Sequence, residues 1–285
     1  MIALKLEGRL GNQLFQYAFI YTAAKKLNTS FYLDKSIERF LLPQYFAVTN
    51  DFLAILDDNV FSIPGYKNIF RIHLKRIFYN FLNALLVGGN LVSISNDGNA
   101  RDAFKQLKNN TLYLGFFQSE NYFNDFEEEV RTLFKVKKEY ACEFEQLNQL
   151  FGGRKKKAVI HVRRTDYVGL DLSLPVGYYK NAIEKFAGPD IAYIFITDDQ
   201  SFVEKEFSYI PDKYISTQSE IIDLQFLINA DFCVLSNSSF SWWGAWLNNN
   251  QHKKVYAPKY WLGFKEKKYM PSGISDNIDF NWIEA

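Results

Sequence analysis

The apolar positions of the chain fall into two patterns: short continuous runs, and longer stretches with helical spacing. Residues 2–6 and 31–34 are runs of strand length. Between them, Leu14, Phe15, Ala18, Phe19, Thr22 and Ala23 recur on one helical face, predicting a helix over 13–27 that Asn28 stops. The intervening loop, Glu7-Gly-Arg-Leu-Gly-Asn-Gln13, carries two glycines. A glycine-bearing loop between a strand and a helix N-terminus is where open α/β sheets bind ligands. The dinucleotide fingerprint is absent from it, so the loop alone specifies no ligand.

From residue 158 onward the two patterns alternate. Strands are predicted over 158–162, 192–196, 232–235 and 255–257. Helices are predicted over 177–186, near 202–207, and over 221–229 and 240–247. Such alternation predicts parallel sheets. Gly152-Gly-Arg-Lys-Lys-Lys157 is the clearest linker. The chain therefore reads as α/β, with two Rossmann-like lobes and a cleft between them. The lobes span 1–153 and 154–285, with the last segment free to pack back on the first.

One stretch of the first half stands apart. Within 70–87, Phe70, Leu74, Ile77, Phe78, Phe81, Leu82, Leu85 and Leu86 form one helical stripe beside Arg71, His73, Lys75 and Arg76. A stripe of this kind is commonly the core face of a helix. With a basic flank, it is alternatively a face that lies peripherally on a membrane.

Bulk composition narrows the classes. Hydrophobic residues at 48% and charged residues at 23% exclude global disorder. A net charge of +1 lacks the basic excess of a nucleic-acid-binding protein, so an anionic ligand has to be met by a few placed cations. Cys142 and Cys233 form neither a disulfide framework nor a metal-ligand spacing, which fits a reducing, cytoplasmic setting. No signal peptide or membrane-spanning run is expected. The aromatic share of 18% fits a Phe-rich core, or platforms for sugar rings and a nucleobase.

Three strand ends finish in polar clusters, and in an open parallel sheet such ends converge on the ligand crevice. In His161-Val-Arg-Arg-Thr-Asp-Tyr167, adjacent arginines suit a diphosphate, because guanidinium forks bind phosphate oxygens bidentately. A structural ion pair with Asp166 is the bland alternative, and His161 is either a satisfied core histidine or a donor contact. In Thr197-Asp-Asp199, carboxylates could hold ribose hydroxyls, bond an arginine or cap the next helix. In Leu235-Ser-Asn-Ser-Ser-Phe-Ser-Trp-Trp-Gly244, hydroxyls ahead of a helix make an anion cradle or a plain N-cap. Asp223 opens a helical stretch, where it could accept from N1–H and N2–H of guanine or simply sit at a helix start. No Asp-x-Asp triplet, Walker loop or His/Cys/carboxylate metal cluster occurs. A departing diphosphate would thus be neutralised by arginines rather than by Mg²⁺.

Together with Gly8-Arg-Leu-Gly-Asn-Gln-Leu-Phe-Gln-Tyr-Ala18 and Ser238-Ser-Phe-Ser-Trp-Trp-Gly-Ala-Trp246, these motifs resemble those of bacterial α-1,2-fucosyltransferases of glycosyltransferase family 11. The shorter arginine and Asp-Asp patterns are also similar to those of α-1,6- and protein O-fucosyltransferases. The resemblance implies a GT-B architecture with the acceptor lobe first and the GDP-fucose lobe second. It implies transfer of L-fucose from GDP-β-L-fucose to a galactose-type hydroxyl of a glycan or lipid-linked oligosaccharide, with inversion and without metal or other cofactor. Phosphate binding falls on Arg163 and Arg164, with Arg163 stabilising the leaving group. Donor contacts fall on His161, Asp198, Asp199, Ser238 and Ser239, and guanine recognition on Asp223. Gly11 and Asn12 would reach the donor from the other lobe, although Arg9 stands where the family often has glycine. Asp171 is the base candidate by its offset from His161, with Asp166 its rival. A transferase for another GDP-sugar, such as GDP-mannose, and a non-catalytic carbohydrate-binding protein are the competing readings. The acceptor pocket is expected within 36–110.

Overall fold

The computed structural model describes residues 1–36, 40–48, 68–95, 99–152, 156–188 and 190–285, with the backbone alone for 68–71. Contacts divide the chain into two units, Met1–Lys135 and Val136–Ala285. Each is built on a parallel sheet, as the alternation of runs and helical stretches predicts.

In the first unit, β1 (Ile2–Lys5), β2 (Phe31–Asp34), β3 (Leu91–Ser93) and β4 (Thr111–Leu114) pair in the order β2-β1-β4-β3. Its helices are α1 (Leu10–Lys26), α2 (Leu42–Tyr45), α3 (Asn68–Leu86), α4 (Ala100–Lys105) and α5 (Glu127–Leu133). Helix α1 begins at Leu10, earlier than its apolar spacing predicts, so Gly11 and Asn12 lie in its first turn rather than in the loop. Gly8 makes this possible by turning the chain at φ +79°, and Gln13 N–H closes the first turn on the Arg9 carbonyl at 3.0 Å. Helix α1 is buried on nearly every side from Leu10 to Ala24, as a helix apolar all round should be.

Helix α3 departs from the expectation that its apolar stripe faces the core. Its buried row is Lys75, Tyr79, Asn83 and Val87. Asn83 fixes that orientation, donating to Asp34 at 2.8 Å and accepting from the Tyr32 hydroxyl at 2.7 Å. Leu74, Phe78, Leu82 and Leu86 are only half-buried, and Ile77, Phe81 and Leu85 face outward. A buried polar pair costs more to leave unmade than a few exposed apolar side chains, so the hydrogen bonds set the rotation.

In the second unit, β5 (Lys156–Val162), β6 (Ile191–Thr197), β7 (Tyr214–Ile215), β8 (Phe232–Val234), β9 (Lys254–Pro258) and β10 (Phe280–Ile283) form an all-parallel sheet of order β10-β9-β8-β5-β6-β7. The helices are α6 (Lys138–Asn148), α7 (Thr165–Gly169), α8 (Val176–Glu184), α9 (Gln200–Glu206), α10 (Glu220–Ile228) and α11 (Ser239–Leu247). Helix α6 precedes the linker but packs in this unit, with Phe144 edge-on to Phe226 of α10 at 5.3 Å. The remaining linker residues 153–155, where the sequence places the lobe boundary, lie outside the described residues. The final segment adds β10 to the edge of the sheet beside β9. Strand β5 is buried from Ala158 to Val162, as a central parallel strand covered on both faces requires. The tryptophans of α11 are core residues, with Trp242, Trp243 and Trp246 all buried against one another.

Close approach of α10 and α11 depends on Gly244, because a Cβ there would lie 2.5 Å from the Leu227 Cβ. Gly244→Ala is therefore expected to destabilise the protein by about 1–3 kcal/mol, the usual cost of overpacking. Chemical denaturation checks this, and an unchanged midpoint would show that the helices separate freely.

Candidate functional site

The strand order of the second sheet reverses between β5 and β8. Open α/β sheets bind ligands outside the carboxyl ends of their strands at such a switch point. Four neighbouring strands deliver polar residues there: Ser236 follows β8, Arg163 and Arg164 follow β5, Asp198 and Asp199 follow β6, and Ser216 follows β7.

His161, near the end of β5, is buried, and its Nδ1 lies 2.7 Å from the Ser236 hydroxyl. This bond crosses the switch point. Burial, with the charge of Arg163 adding to it, pushes the imidazole pKa down to about 3. The ring is thus neutral at ordinary pH and offers a hydrogen bond rather than a charge. A base this weak is unsuited to taking a proton from a hydroxyl.

The arginines are held by three carboxylates. Arg163 reaches Asp166 through Nη2 at 2.8 Å and Asp198 through Nη1 at 3.0 Å. The Arg164 backbone N–H donates to Asp198 at 2.8 Å, and Thr165 Oγ1 donates to the same carboxylate at 2.6 Å. Arg164 Nε meets Asp199 at 3.1 Å, while its guanidinium lies over the Phe202 ring at 3.7 Å. Of the Asp-Asp pair, Asp199 also caps α9, accepting from Phe202 N–H at 3.0 Å. Asp198 instead anchors the arginine turn. Two guanidiniums against three carboxylates leave these five groups with a net negative charge. A further anion arriving beside Arg163 would therefore meet net negative charge, and Asp166, 49% exposed, is the readiest of the three carboxylates to yield.

Asp223 lies on α10 and accepts from the Ser216 hydroxyl at 2.5 Å. Burial raises its carboxyl pKa to about 6, against the lowering effect of that bond. Ser216 N–H in turn donates to the Phe195 carbonyl of β6 at 2.8 Å, which ties Asp223 to the same edge of the sheet. Ser238 stands at the N-cap of α11 with Ser239 in its first turn, and the Ser238 side chain makes no capping bond. Asn237, almost fully buried, donates to the Leu172 carbonyl at 2.9 Å, and its own carbonyl accepts from the Tyr167 hydroxyl at 3.2 Å. The Asn237 Oδ1 has no hydrogen-bond partner among the described residues.

Asp171 is held elsewhere. It adopts φ +59°, is 87% exposed, and forms an ion pair with Lys265 rather than with either arginine.

The first sheet has its own reversal, between β1 and β4. Asn12, in the first turn of α1, accepts from Gln118 Nε2 at 2.9 Å, and Gln118 follows β4. The Gln118 Oε1 is buried without a partner among the described residues. A Cβ on Gly8 would lie 2.4 Å from Asn12 Nδ2, so glycine there admits the asparagine.

Sequence reasoning passed over Ser216, Ser236, Asn237, Phe202 and Gln118. Ser236 and Asn237 do sit in the hydroxyl-rich run after β8, and that run is the one signal that could have marked them. Among the described residues, no group of three or more His, Cys, Asp or Glu is placed to hold a metal ion. No described helix is long and apolar enough to cross a membrane.

Comparison with known proteins bears on the fold and the family. The chain is 27% identical to the O-antigen biosynthesis glycosyltransferase WbnK of Escherichia coli, over 92% of this chain and 95% of that one. It is 28% identical to an α-1,2-colitosyltransferase of Escherichia coli, over 93% and 94% of the two chains. Among solved structures it resembles NodZ α-1,6-fucosyltransferase soaked with GDP-fucose, with a TM-score of 0.52, 16% identity, and 86% and 92% coverage. The structure of a mutant of Arabidopsis thaliana FUT1 in complex with GDP gives the same TM-score of 0.52, at 12% identity and with 90% and 70% coverage. These likenesses identify the fold as the GT-B type, with two Rossmann-like units. The model of Glycosyl transferase family 11 matches residues 1–283, and the chain belongs to that family.

Proposed function

We propose that the protein transfers L-fucose from GDP-β-L-fucose to a galactose-type hydroxyl, forming an α-1,2 linkage on a glycan acceptor, free or lipid-linked. The observation that carries this reading is the row Ser236, His161, Arg163, Arg164, Asp198 and Asp223 along one carboxyl edge of the second sheet. Arg163 and Arg164 take the diphosphate, Asp223 accepts from the guanine edge, and neutral His161 with Ser238 and Ser239 supplies donor contacts. Asp198 and Asp199 hold the arginines in place. Assignment of Gly11 and Asn12 to the donor rests on the resemblance alone. A cytoplasmic setting is part of the reading, and it suits Cys142 and Cys233, both free thiols.

The mechanism is a single displacement. The acceptor hydroxyl attacks C1 of the sugar as the bond to the β-phosphate breaks, and the arginines stabilise the charge gathering on that phosphate. The acceptor proton goes to a carboxylate. Asp166, beside Arg163, is closer to the cluster than exposed Asp171, which would have to leave Lys265 to serve.

The test is a transfer assay with GDP-fucose and galactose-terminated acceptors, the product linkage read by NMR. Full activity is expected in excess EDTA, because arginines supply the leaving-group charge. A strict Mg²⁺ or Mn²⁺ requirement would sink the mechanism. A second reading is favoured by the relative named as a colitosyltransferase: the donor sugar is colitose, which lacks the 3-hydroxyl of fucose. Side-by-side turnover of the two GDP-sugars separates these readings.

A further inference from the structure

Helix α3 presents three rows of side chains at a spacing of four residues, and their burial runs in one direction. Lys75, Tyr79, Asn83 and Val87 are buried, and Leu74, Phe78, Leu82 and Leu86 are half-buried. Ile77, Phe81 and Leu85 are 55%, 63% and 66% exposed. Residues four apart lie one above another on a helix, so these three form a continuous apolar ridge. His73 heads the same row and Arg76 flanks it, both exposed. The surrounding sequence is one-sided in charge. From 59 to 96 it contains no Asp or Glu but four Lys or Arg (Lys67, Arg71, Lys75 and Arg76), in a chain with 32 acidic and 33 basic residues overall.

We propose that this ridge seats the protein on an anionic lipid surface, with Ile77, Phe81 and Leu85 entering the headgroup boundary and exposed Arg76 facing lipid phosphates. An apolar face bordered by Lys and Arg and free of acids is the composition that lies in a membrane interface. A second copy of the same face would bring like charges together, which opposes self-association. Each Lys or Arg near an anionic surface strengthens binding by roughly five-fold, so exposed Arg76 adds an electrostatic increment to the attachment that the apolar ridge provides. The inference is independent of the donor assignment, and it would bring the active protein to lipid-carried acceptors.

The full chain is to be sedimented with vesicles of pure phosphatidylcholine and with vesicles mixing phosphatidylcholine and phosphatidylglycerol. Binding is expected to the mixed vesicles, weakened about five-fold by high salt. It should be lost in the variant carrying Ile77→Ser, Phe81→Ser and Leu85→Ser, and reduced by Arg76→Glu. GDP affinity, measured on the same samples, should be unchanged in the triple variant, which certifies its fold. The single variant Phe81→Trp should show an emission blue-shift with mixed vesicles only. No binding of mixed vesicles by the unaltered chain, or equal binding by the folded triple variant, overturns the proposal. A dimer abolished by the triple substitution also overturns it, assigning the ridge to a second copy. Vesicle binding without GDP binding would contradict the transferase reading and leave this one standing.

Discussion

Replacing Arg163 by lysine is expected to lower kcat by about 10²–10³, with a far smaller rise in KM for the donor. The guanidinium is pinned at two points, Asp166 at 2.8 Å and Asp198 at 3.0 Å, which leaves three of its five N–H donors for phosphate oxygens. A lysine ammonium is a point charge and cannot hold both carboxylates and two phosphate oxygens at once. The contact strengthens only as the glycosidic bond breaks, so its loss appears in the chemical step. Arg164→Lys is the comparison. It removes the stack on Phe202 and the Asp199 bond, tying β5 less firmly to α9, so it should reduce stability or donor affinity with a smaller loss in kcat. Asp166→Asn separates two assignments. If Asp166 only neutralises Arg163 in the free protein, the variant binds GDP more tightly; if it is the base, kcat collapses while GDP affinity is kept. Retention of kcat within a few-fold in Arg163→Lys would move leaving-group stabilisation to another residue.

Asp223→Asn is expected to weaken GDP by about ten- to a hundred-fold while leaving ADP nearly unchanged. Guanine presents N1–H and N2–H to a carboxylate and adenine presents no such edge, whereas both ligands share the diphosphate. The pH dependence has a definite sign. Burial raises this carboxyl to about 6, so below that pH the free protein holds it protonated and binding must first remove the proton. The preference for GDP over ADP should therefore be full above about pH 6. Below it, the preference should shrink by up to ten-fold per pH unit. Stability moves the opposite way. A raised carboxyl pKa means that ionisation opposes folding, a cost absent below the ordinary carboxylate range and complete above about pH 6. Asp223→Asn should thus stabilise the fold at neutral pH, by at most about 3 kcal/mol, and not at pH 4. A variant that loses stability together with affinity for both nucleotides would make Asp223 a structural residue.

Particular residues show what could be read from the chain. The β5 cluster was legible because an apolar run ends abruptly in His161-Val-Arg-Arg, and strand-end chemistry follows from parallel sheets. The division of labour between Asp198 and Asp199 was not, since adjacent residues at a strand end diverge in ways that only the fold decides. The bond from His161 to Ser236 depends on β8 lying beside β5, a pairing that local pattern does not encode. Helix α3 misled the hydrophobic pattern because its buried row contains Lys75 and Asn83. The start of α1 was set by Gly8 and Arg9, not by the apolar spacing that begins at Leu14. Strands β3, β7 and β10 consist largely of exposed or half-buried residues, so no continuous apolar run marks them, and β4 was passed over with them.

Calorimetric titration of the unaltered protein with GDP in excess EDTA tests the central claim most directly. One GDP should bind per chain with the metal chelated, and ADP should bind at least about ten-fold more weakly under the same conditions. Absence of a GDP binding heat, or equal affinity for ADP, would contradict a guanine-selective, arginine-held diphosphate site on the second sheet.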